Sequence, residues 1–245
     1  MKREIIFELC AESLQACLAA GEGGADRIEL CSVLSEDGLT PSHSFIEAAV
    51  ERSGLPVYVL LRPRAGDFVY SDDELSMMGE DLLHARSLGA SGFVMGVLRG
   101  DSTVDVERTR EIVELAAPLE VTFHRAFDLT PSLDDALEDV IVAGCRRILT
   151  SGGKRDVLAG AGNLRKLAER AAGRIVIAAG GGLRIENAAK VARESEVSHF
   201  HGSLRSSPSG AFANNQNVAL PSAAKVTPCV YAEDIRALLK ELHGV

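Results

Sequence analysis

Short apolar runs alternate with longer amphipathic stretches along most of the chain. The apolar runs are rich in Val, Ile and Leu, which is typical of strands buried on both faces. Turn residues bound each run, because glycine and proline interrupt regular structure there. The pattern predicts eight strands, at residues 5–10, 27–31, 57–62, 92–97, 120–124, 147–150, 175–178 and 198–201.

The stretches between these strands have the Ala, Leu and charged residues of surface helices. Ser71 or Asp72 and Ser132 are placed to cap helix N-termini, and Gly89 and Gly144 to end helices. The predicted helices cover residues 13–21, 42–53, 72–88, 105–116, 132–143, about 156–171, 185–194 and 231–242.

Evenly spaced units of one strand and one helix predict the α/β class and a single (βα)8 TIM barrel over residues 1–245. A doubly wound open sheet fits less well, because no G-x-G-x-x-G motif follows an early strand. Residues of about 202–230 lack a clear period and are rich in Ser, Asn and Pro, so we expect an irregular excursion there.

The charge balance restricts the partners. Lys and Arg number 26 against 35 Asp and Glu, which gives a net charge of −9. Nucleic acid and anionic membrane surfaces are poor partners for such a chain, and any bound anion needs a local basic site. The N-terminus lacks an apolar signal core, no run approaches the ~20 residues of a membrane span, and the five cysteines have no tight spacing. We therefore expect a cytoplasmic protein with reduced thiols.

Polar residues gather at the predicted carboxyl ends of the strands, where barrels place their chemistry. Alternation along a strand puts Glu8 with Cys10, and Glu29 with Cys31, on the face of the barrel mouth. One interpretation is a general acid/base site in which an arginine holds an anionic substrate. The other is a structural network in which the arginine neutralises both glutamates. The candidate catalytic residues are Glu8, Glu29, Arg62, His124 and His201.

Glycine-rich loops follow the later strands. Their backbone N–H groups, near helix N-termini, are suited to bind phosphate or carboxylate. The alternative is that the glycines only make tight turns between strand and helix. The candidate anion-binding residues are Arg64, Ser151, Gly152, Gly180, Gly181, Gly182 and Ser203.

Two cysteines end matching ELC triplets on the first two strands. Neighbouring strands lie roughly 4.8 Å apart, so the sulfurs of Cys10 and Cys31 can meet. Paired thiolates suit Cu(I), a disulfide is geometrically possible, and two buried free thiols are the simplest alternative. The remaining cysteines, Cys17, Cys145 and Cys229, lie at helix or loop positions and are interpreted as structural.

Several long segments resemble the CutC family of copper homeostasis proteins: FELCAESLQAC, GGADRIELCSVLSEDGLTPS, LLRPRAGDFVYSDDE, VTFHRAFD, RILTSGG and FHGS. The resemblance implies a TIM barrel, a cytoplasmic location and a homodimer or higher oligomer. It also implies that Cys10 and Cys31 are Cu(I) ligands. The chain departs from the family pattern after Ser203, where it reads SGAFANNQNVAL.

Three hypotheses of function follow. The first is a copper homeostasis protein that binds Cu(I) through the two strand-end cysteines. The second is an enzyme that acts by general acid/base chemistry on a small anionic metabolite, with phosphorylated metabolites among the candidates. The third is a non-catalytic barrel that binds a partner.

Overall fold

The computed structural model describes residues 4–205 and 229–245. Residues 206–228 of the predicted excursion lie outside this part of the chain. The strands are β1 Ile6–Ala11, β2 Arg27–Leu30, β3 Val57–Leu60, β4 Gly92–Met95, β5 Glu120–Phe123, β6 Arg147–Thr150, β7 Val176–Ala179 and β8 His199–Gly202. The helices are α1 Leu14–Gly23, α2 His43–Arg52, α3 Asp72–Ser87, α4 Val106–Ala116, α5 Leu133–Ala143, α6 Ala161–Ala171, α7 Ile185–Ser195 and α8 Ala232–His243.

The strands form a closed parallel barrel in chain order, and β8 pairs with β1 to close it. Strand and helix alternate throughout the described residues, so the predicted (βα)8 TIM barrel is confirmed. The register aligns Glu8 with His201 across the closing pair. This alignment brings the first and last strands together at the mouth.

Alternation along each strand separates an apolar outer face from a mixed inner face. In β1, Phe7 and Leu9 are fully buried in the apolar core. Glu8 and Cys10 lie on the opposite face, inside the barrel. The outer face therefore supplies the hydrophobic stabilisation, and the inner face is left to carry polar groups.

The barrel interior has an apolar part and a charged part. Cys10, Cys31, Leu60 and Val94 form a small buried cluster, separate from the main core, with Tyr58 packed against it. The charged part, here called the ion cluster, consists of Glu8, Arg27, Arg147 and His201. The two parts meet where the Arg27 guanidinium lies 3.2 Å above the centre of the Tyr58 ring.

Most element boundaries differ from the sequence prediction by one or two residues, and two of the differences have a visible cause or consequence. β3 ends at Leu60, so Arg62 lies beyond the strand, with its backbone N–H on the Thr40 hydroxyl. α6 begins at Ala161 instead of about 156, because Asp156 accepts a hydrogen bond from the Ala159 N–H and forms a separate turn first.

Among the helices of residues 4–205 and 229–245, none has both the length and the apolar character that crossing a membrane requires.

Candidate functional site

A cavity of about 390 Å³ opens at the carboxyl end of the barrel. This volume lies at the lower end of the range for small-molecule sites. Its wall combines groups from β1, β2 and β8 with loops that follow β5 and β7. The chemically active residues of the wall include Cys10, Glu29, His124, Arg125, Asp128, Arg184, His201 and Arg205.

The two predicted metal-binding cysteines meet at the side of this cavity. Their Sγ atoms lie 3.7 Å apart, and both cysteines are free and buried. Cys10 is aligned with Glu29, while the backbone N–H of Cys31 donates to the carbonyl of Ala11. The two triplets are therefore offset, yet the sulfurs still meet because both side chains point inward. Only Cys10 of the two lines the cavity.

Glu29 lies next to this pair, and its buried carboxyl group has few hydrogen-bond partners. Its Oε1 accepts a hydrogen bond from the Cys10 thiol at 3.4 Å, and its Oε2 has no partner among the described residues. Burial raises the pKa of Glu29 above its ordinary value. The hydrogen bond with Cys31, together with burial, raises the pKa of Cys10 well above the ordinary thiol value. Both Glu29 and Cys10 therefore hold a proton more readily here than in water.

Glu8 is the centre of the ion cluster. It is fully buried, and its carboxylate accepts from Arg27 Nε at 2.5 Å, from Arg147 Nη1 at 2.6 Å and from His201 Nδ1 at 2.8 Å. Burial by itself would raise the pKa of Glu8, but the arginines and His201 hold it well below its ordinary value. Glu8 is thus an ionised group beneath the wall, and it positions His201.

His201 extends the ion cluster to the cavity. Because Nδ1 faces Glu8, Nε2 is the nitrogen available to the wall. Burial opposes protonation, yet Glu29, Cys10 and Glu8 raise the pKa of His201 to about 10. Cys10, Glu29 and His201 each offer one ligand atom, and these atoms lie within 4.8 Å of one another. The three side chains have a suitable spacing for one metal ion.

His124 lies on another part of the wall, after β5. Its Nδ1 accepts the backbone N–H of Ala126 at 3.1 Å, and its Nε2 has no partner among the described residues. The Phe68 ring packs on it at 4.8 Å between centroids. Burial, followed by the charges of Arg62 and Arg125, lowers the pKa of His124 to about 3. The imidazole is therefore neutral at physiological pH.

Arg62 does not contact either glutamate. Its Nη atoms donate to the carbonyls of Glu36, Gly38 and Gly66, so its guanidinium joins the loops after β2 and β3. The proposed structural network does exist around Glu8, but Arg27 and Arg147 supply its charges. Both arginines begin strands, and their inward position could have been found from the same alternation that placed Glu29 inside.

Only some of the predicted anion-binding residues line the cavity. Gly181, Gly182 and Ser203 line the cavity. The N–H of Gly180 donates to the Thr150 carbonyl within the barrel. Arg64 forms ion pairs with Asp67 and Glu74, and it does not line the cavity.

The turn after β6 already binds an anion, which is the side chain of Asp128. The N–H groups of Ser151 and Gly153 donate to Oδ1 of Asp128 at 3.1 and 3.0 Å. The N–H of Gly152 donates to the Thr150 hydroxyl. These donors are therefore occupied by the protein itself, and they position Asp128 in the wall.

Three wall arginines were absent from the sequence-based candidates. Arg125 is paired with Asp128, and Arg205 with Glu12. Arg184 donates to the carbonyl of Leu183, and no carboxylate of the described residues is within salt-bridge distance of it. None of the three lies in a strand or a long helix, since Arg125 begins the short helix Arg125–Leu129 and the other two lie in loops, so a periodic pattern gives no signal for which way each side chain points.

Comparison with known proteins identifies the family. A sequence model of the CutC family matches residues 5–206. The family protein CutC of Chromobacterium violaceum is 48% identical over 200 residues, which cover 82% of this chain and 81% of that protein. The copper homeostasis protein cutC homolog of Homo sapiens is 38% identical over 245 residues, 97% of this chain and 90% of the human protein. The crystal structure of a CutC protein from Streptococcus agalactiae has a TM-score of 0.77 at 33% identity and covers 81% of this chain and 98% of its own. The chain therefore belongs to the CutC family.

Proposed function

We propose that this protein binds one Cu(I) ion through Cys10 and Cys31 as part of copper homeostasis. The observation that carries the proposal is the 3.7 Å separation of their Sγ atoms. Metal–thiolate bonds of about 2.3 Å allow one ion to bridge two sulfurs at such a separation. Soft thiolate ligands favour Cu(I) over the harder divalent metals. The human relative, 38% identical, is named a copper homeostasis protein homolog.

The surroundings of the thiols support this proposal. Cys10 lines the cavity, so an ion can reach the sulfurs from the barrel mouth. His201 and Glu29 offer further ligand atoms close to the Cys10 sulfur. The hydrogen bond with Cys31 and burial raise the pKa of Cys10 well above the ordinary thiol value, so Cu(I) binding to its sulfur is coupled to proton release.

An anaerobic Cu(I) titration against a chromophoric chelator tests the proposal. The wild type is expected to bind one ion per chain, and the double variant Cys10→Ser/Cys31→Ser to bind none. Cys145→Ser is the matched control, because Cys145 is also a buried free cysteine but precedes β6 at the opposite end of the barrel. Circular dichroism verifies that each variant folds. Unchanged stoichiometry in the folded double variant would refute the proposal.

A second candidate function is general acid/base chemistry on a small anionic metabolite in the same cavity. The observation in its favour is Arg184, a wall arginine without a carboxylate partner among the described residues, in a chain whose net charge is −9. Burial raises the pKa of Glu29 above its ordinary value, so this carboxyl holds a proton more readily than a solvated one, as a general acid must. Glu8 and Arg62 support this site by holding His201 and the loops.

Thermal-shift measurements with inorganic phosphate, phosphoglycolate and small carboxylates test this second function without copper. A ligand that raises the melting temperature of the wild type, and does so less for Arg184→Gln, is the expected result. The absence of a shift with all these anions would count against an anionic substrate. It would leave the copper proposal unaffected.

A further inference from the structure

His124 lines the cavity and has an unpartnered, buried polar atom. The residue is 7% exposed, and its Nε2 has no hydrogen-bond partner among the described residues. Buried side-chain polar atoms are hydrogen-bonded in the large majority of cases, and an exception at a cavity wall calls for a partner from outside the chain.

The hydrogen bond on the other ring nitrogen fixes the tautomer. A backbone N–H is a donor only, so the bond from Ala126 requires a lone pair on Nδ1 of His124. In the neutral ring the proton is then on Nε2. The unpartnered atom is consequently a donor, and it requires an oxygen or another acceptor.

The ring has little freedom to change this arrangement. A Cβ at position 96 would lie 2.5 Å from Cε1 of His124, so glycine at this position makes room for the imidazole. Phe68 packs on the ring from another side. The guanidinium of Arg62 lies 4.9 Å from the centre of the Phe68 ring. The packing around the ring restricts its movement, and burial together with the charge of Arg62 disfavours its protonation.

Other groups that favour an anion line the same cavity. The wall contains Arg184 and the turn at Gly181 and Gly182, which leads into the N-terminus of α7. Helix N-termini and arginines both favour anions. The buried, unpartnered nitrogen of His124 is an independent indication of a ligand here. It adds an uncharged hydrogen-bond donor to the charged guanidinium of Arg184.

We propose that His124 binds an oxygen atom of a small oxyanion or carbonyl ligand by donating a hydrogen bond from a neutral Nε2–H. The proposal rests on the second candidate function, an anionic metabolite in this cavity. His124 then orients the ligand and stabilises negative charge on its oxygen, and it does not carry a proton. Glu29 remains the group on the wall that can transfer one.

Two amide variants distinguish the roles of the two ring nitrogens of His124. In His124→Gln the amide nitrogen can reach the position of Nε2, whereas in His124→Asn the amide reaches only that of Nδ1. Phosphoglycolate is the probe, with inorganic phosphate beside it, in calorimetric titrations of the metal-free protein. We expect His124→Gln to bind within a few-fold of the wild type. We expect His124→Asn to bind about tenfold or more weakly, since the lost bond is to a charged acceptor.

His84→Asn is the control, because His84 lies on α3 and does not line the cavity. Equal affinity of His124→Asn and the wild type would overturn the inference and leave the second function standing. Failure of the wild type to bind either probe would overturn both. Long-range ¹H–¹⁵N NMR of the ligand-free protein supplies a readout that needs no ligand. A proton on Nδ1 of His124 would contradict the inference even if the variants do not fold.

Discussion

Two histidines of the barrel mouth, His124 after β5 and His201 in β8, differ in charge although both are buried side chains of the same cavity wall. Both are more than nine-tenths buried, and both line the cavity. Burial disfavours the charged form of each. Nδ1 of His201 faces the carboxylate of Glu8, whereas Nδ1 of His124 faces the backbone N–H of Ala126. The charged neighbours, Glu29 and Glu8 beside His201 but Arg62 and Arg125 beside His124, therefore decide whether the ring is a cation or a neutral donor.

The difference divides the mouth into two chemical regions. Around His201 lie the thiols, Glu29 and the ion cluster, which are the groups that our copper proposal uses. Around His124 lie Phe68 and Arg125, which leave an uncharged donor at the wall. One cavity thus offers a soft metal site and an oxygen-binding site. The following predictions alter one region and leave the other as its reference.

The largest effect is expected from Glu8→Gln. The change leaves Arg27 and Arg147 buried without their counter-charge, and breaking a buried ion pair costs about 3–5 kcal/mol. Denaturant unfolding measures the loss. Glu138→Gln is the control, because its pairs with Arg170 and Arg174 are solvent-exposed, and exposed ion pairs contribute little to stability. Equal losses in the two variants would show that the ion cluster does not hold the β1–β8 region.

A smaller effect is expected from Gly96→Ala, which acts on the His124 region alone. The added methyl would displace the imidazole, and such overpacking costs about 1–3 kcal/mol. Gly100→Ala is the matched control, since a Cβ there meets nothing within 4 Å. Denaturant unfolding of both variants measures whether Gly96→Ala loses more stability than Gly100→Ala. A neutral Gly96→Ala would mean that the ring is free to move.

The pH dependence of stability tests the charge of His124. Its pKa is about 3 in the folded protein, below the usual value of 6.5, so the unfolded chain binds the extra proton between these pH values. Stability contributed by the neutral ring is therefore complete above pH 6.5 and is lost as the pH falls towards 3. Relative to His124→Asn, the wild type should lose up to about 1.4 kcal/mol per pH unit in this window. Denaturant unfolding at several acidic pH values measures the difference, and a constant difference would contradict it.

The smallest effect on stability is expected from Arg184→Gln. Arg184 has no carboxylate partner among the described residues, so we expect a change within about 0.5 kcal/mol in unfolding free energy. Phosphoglycolate affinity should fall nonetheless, because a cation of the wall is removed. A large loss of stability would show that Arg184 has a structural role instead.

The barrel could be predicted because each of its elements has a local signature. Apolar runs with glycine or proline at their ends gave the strands, and alternation within β1 and β2 placed Glu8 and Glu29 inside. The same alternation brought Cys10 and Cys31 to one side of the mouth. These conclusions need only neighbouring strands and a period of two.

The contacts that define the site depend on residues far apart in sequence. Arg147 reaches Glu8 across the barrel, and Asp128 occupies the N–H groups after β6. The His124 tautomer is set where the chain turns into the short helix Arg125–Leu129 and aims one N–H at the ring. A single sequence has no periodic signal for such pairs, so neither partner could be assigned in advance.

The most direct test of the two-region account is a ¹⁵N NMR titration of the ring nitrogens of His124 and His201 in the metal-free protein between pH 5 and 8. We predict that His201 remains doubly protonated and that His124 remains neutral with its proton on Nε2 throughout this range. Titration of both rings near the ordinary value of about 6.5 would contradict the account.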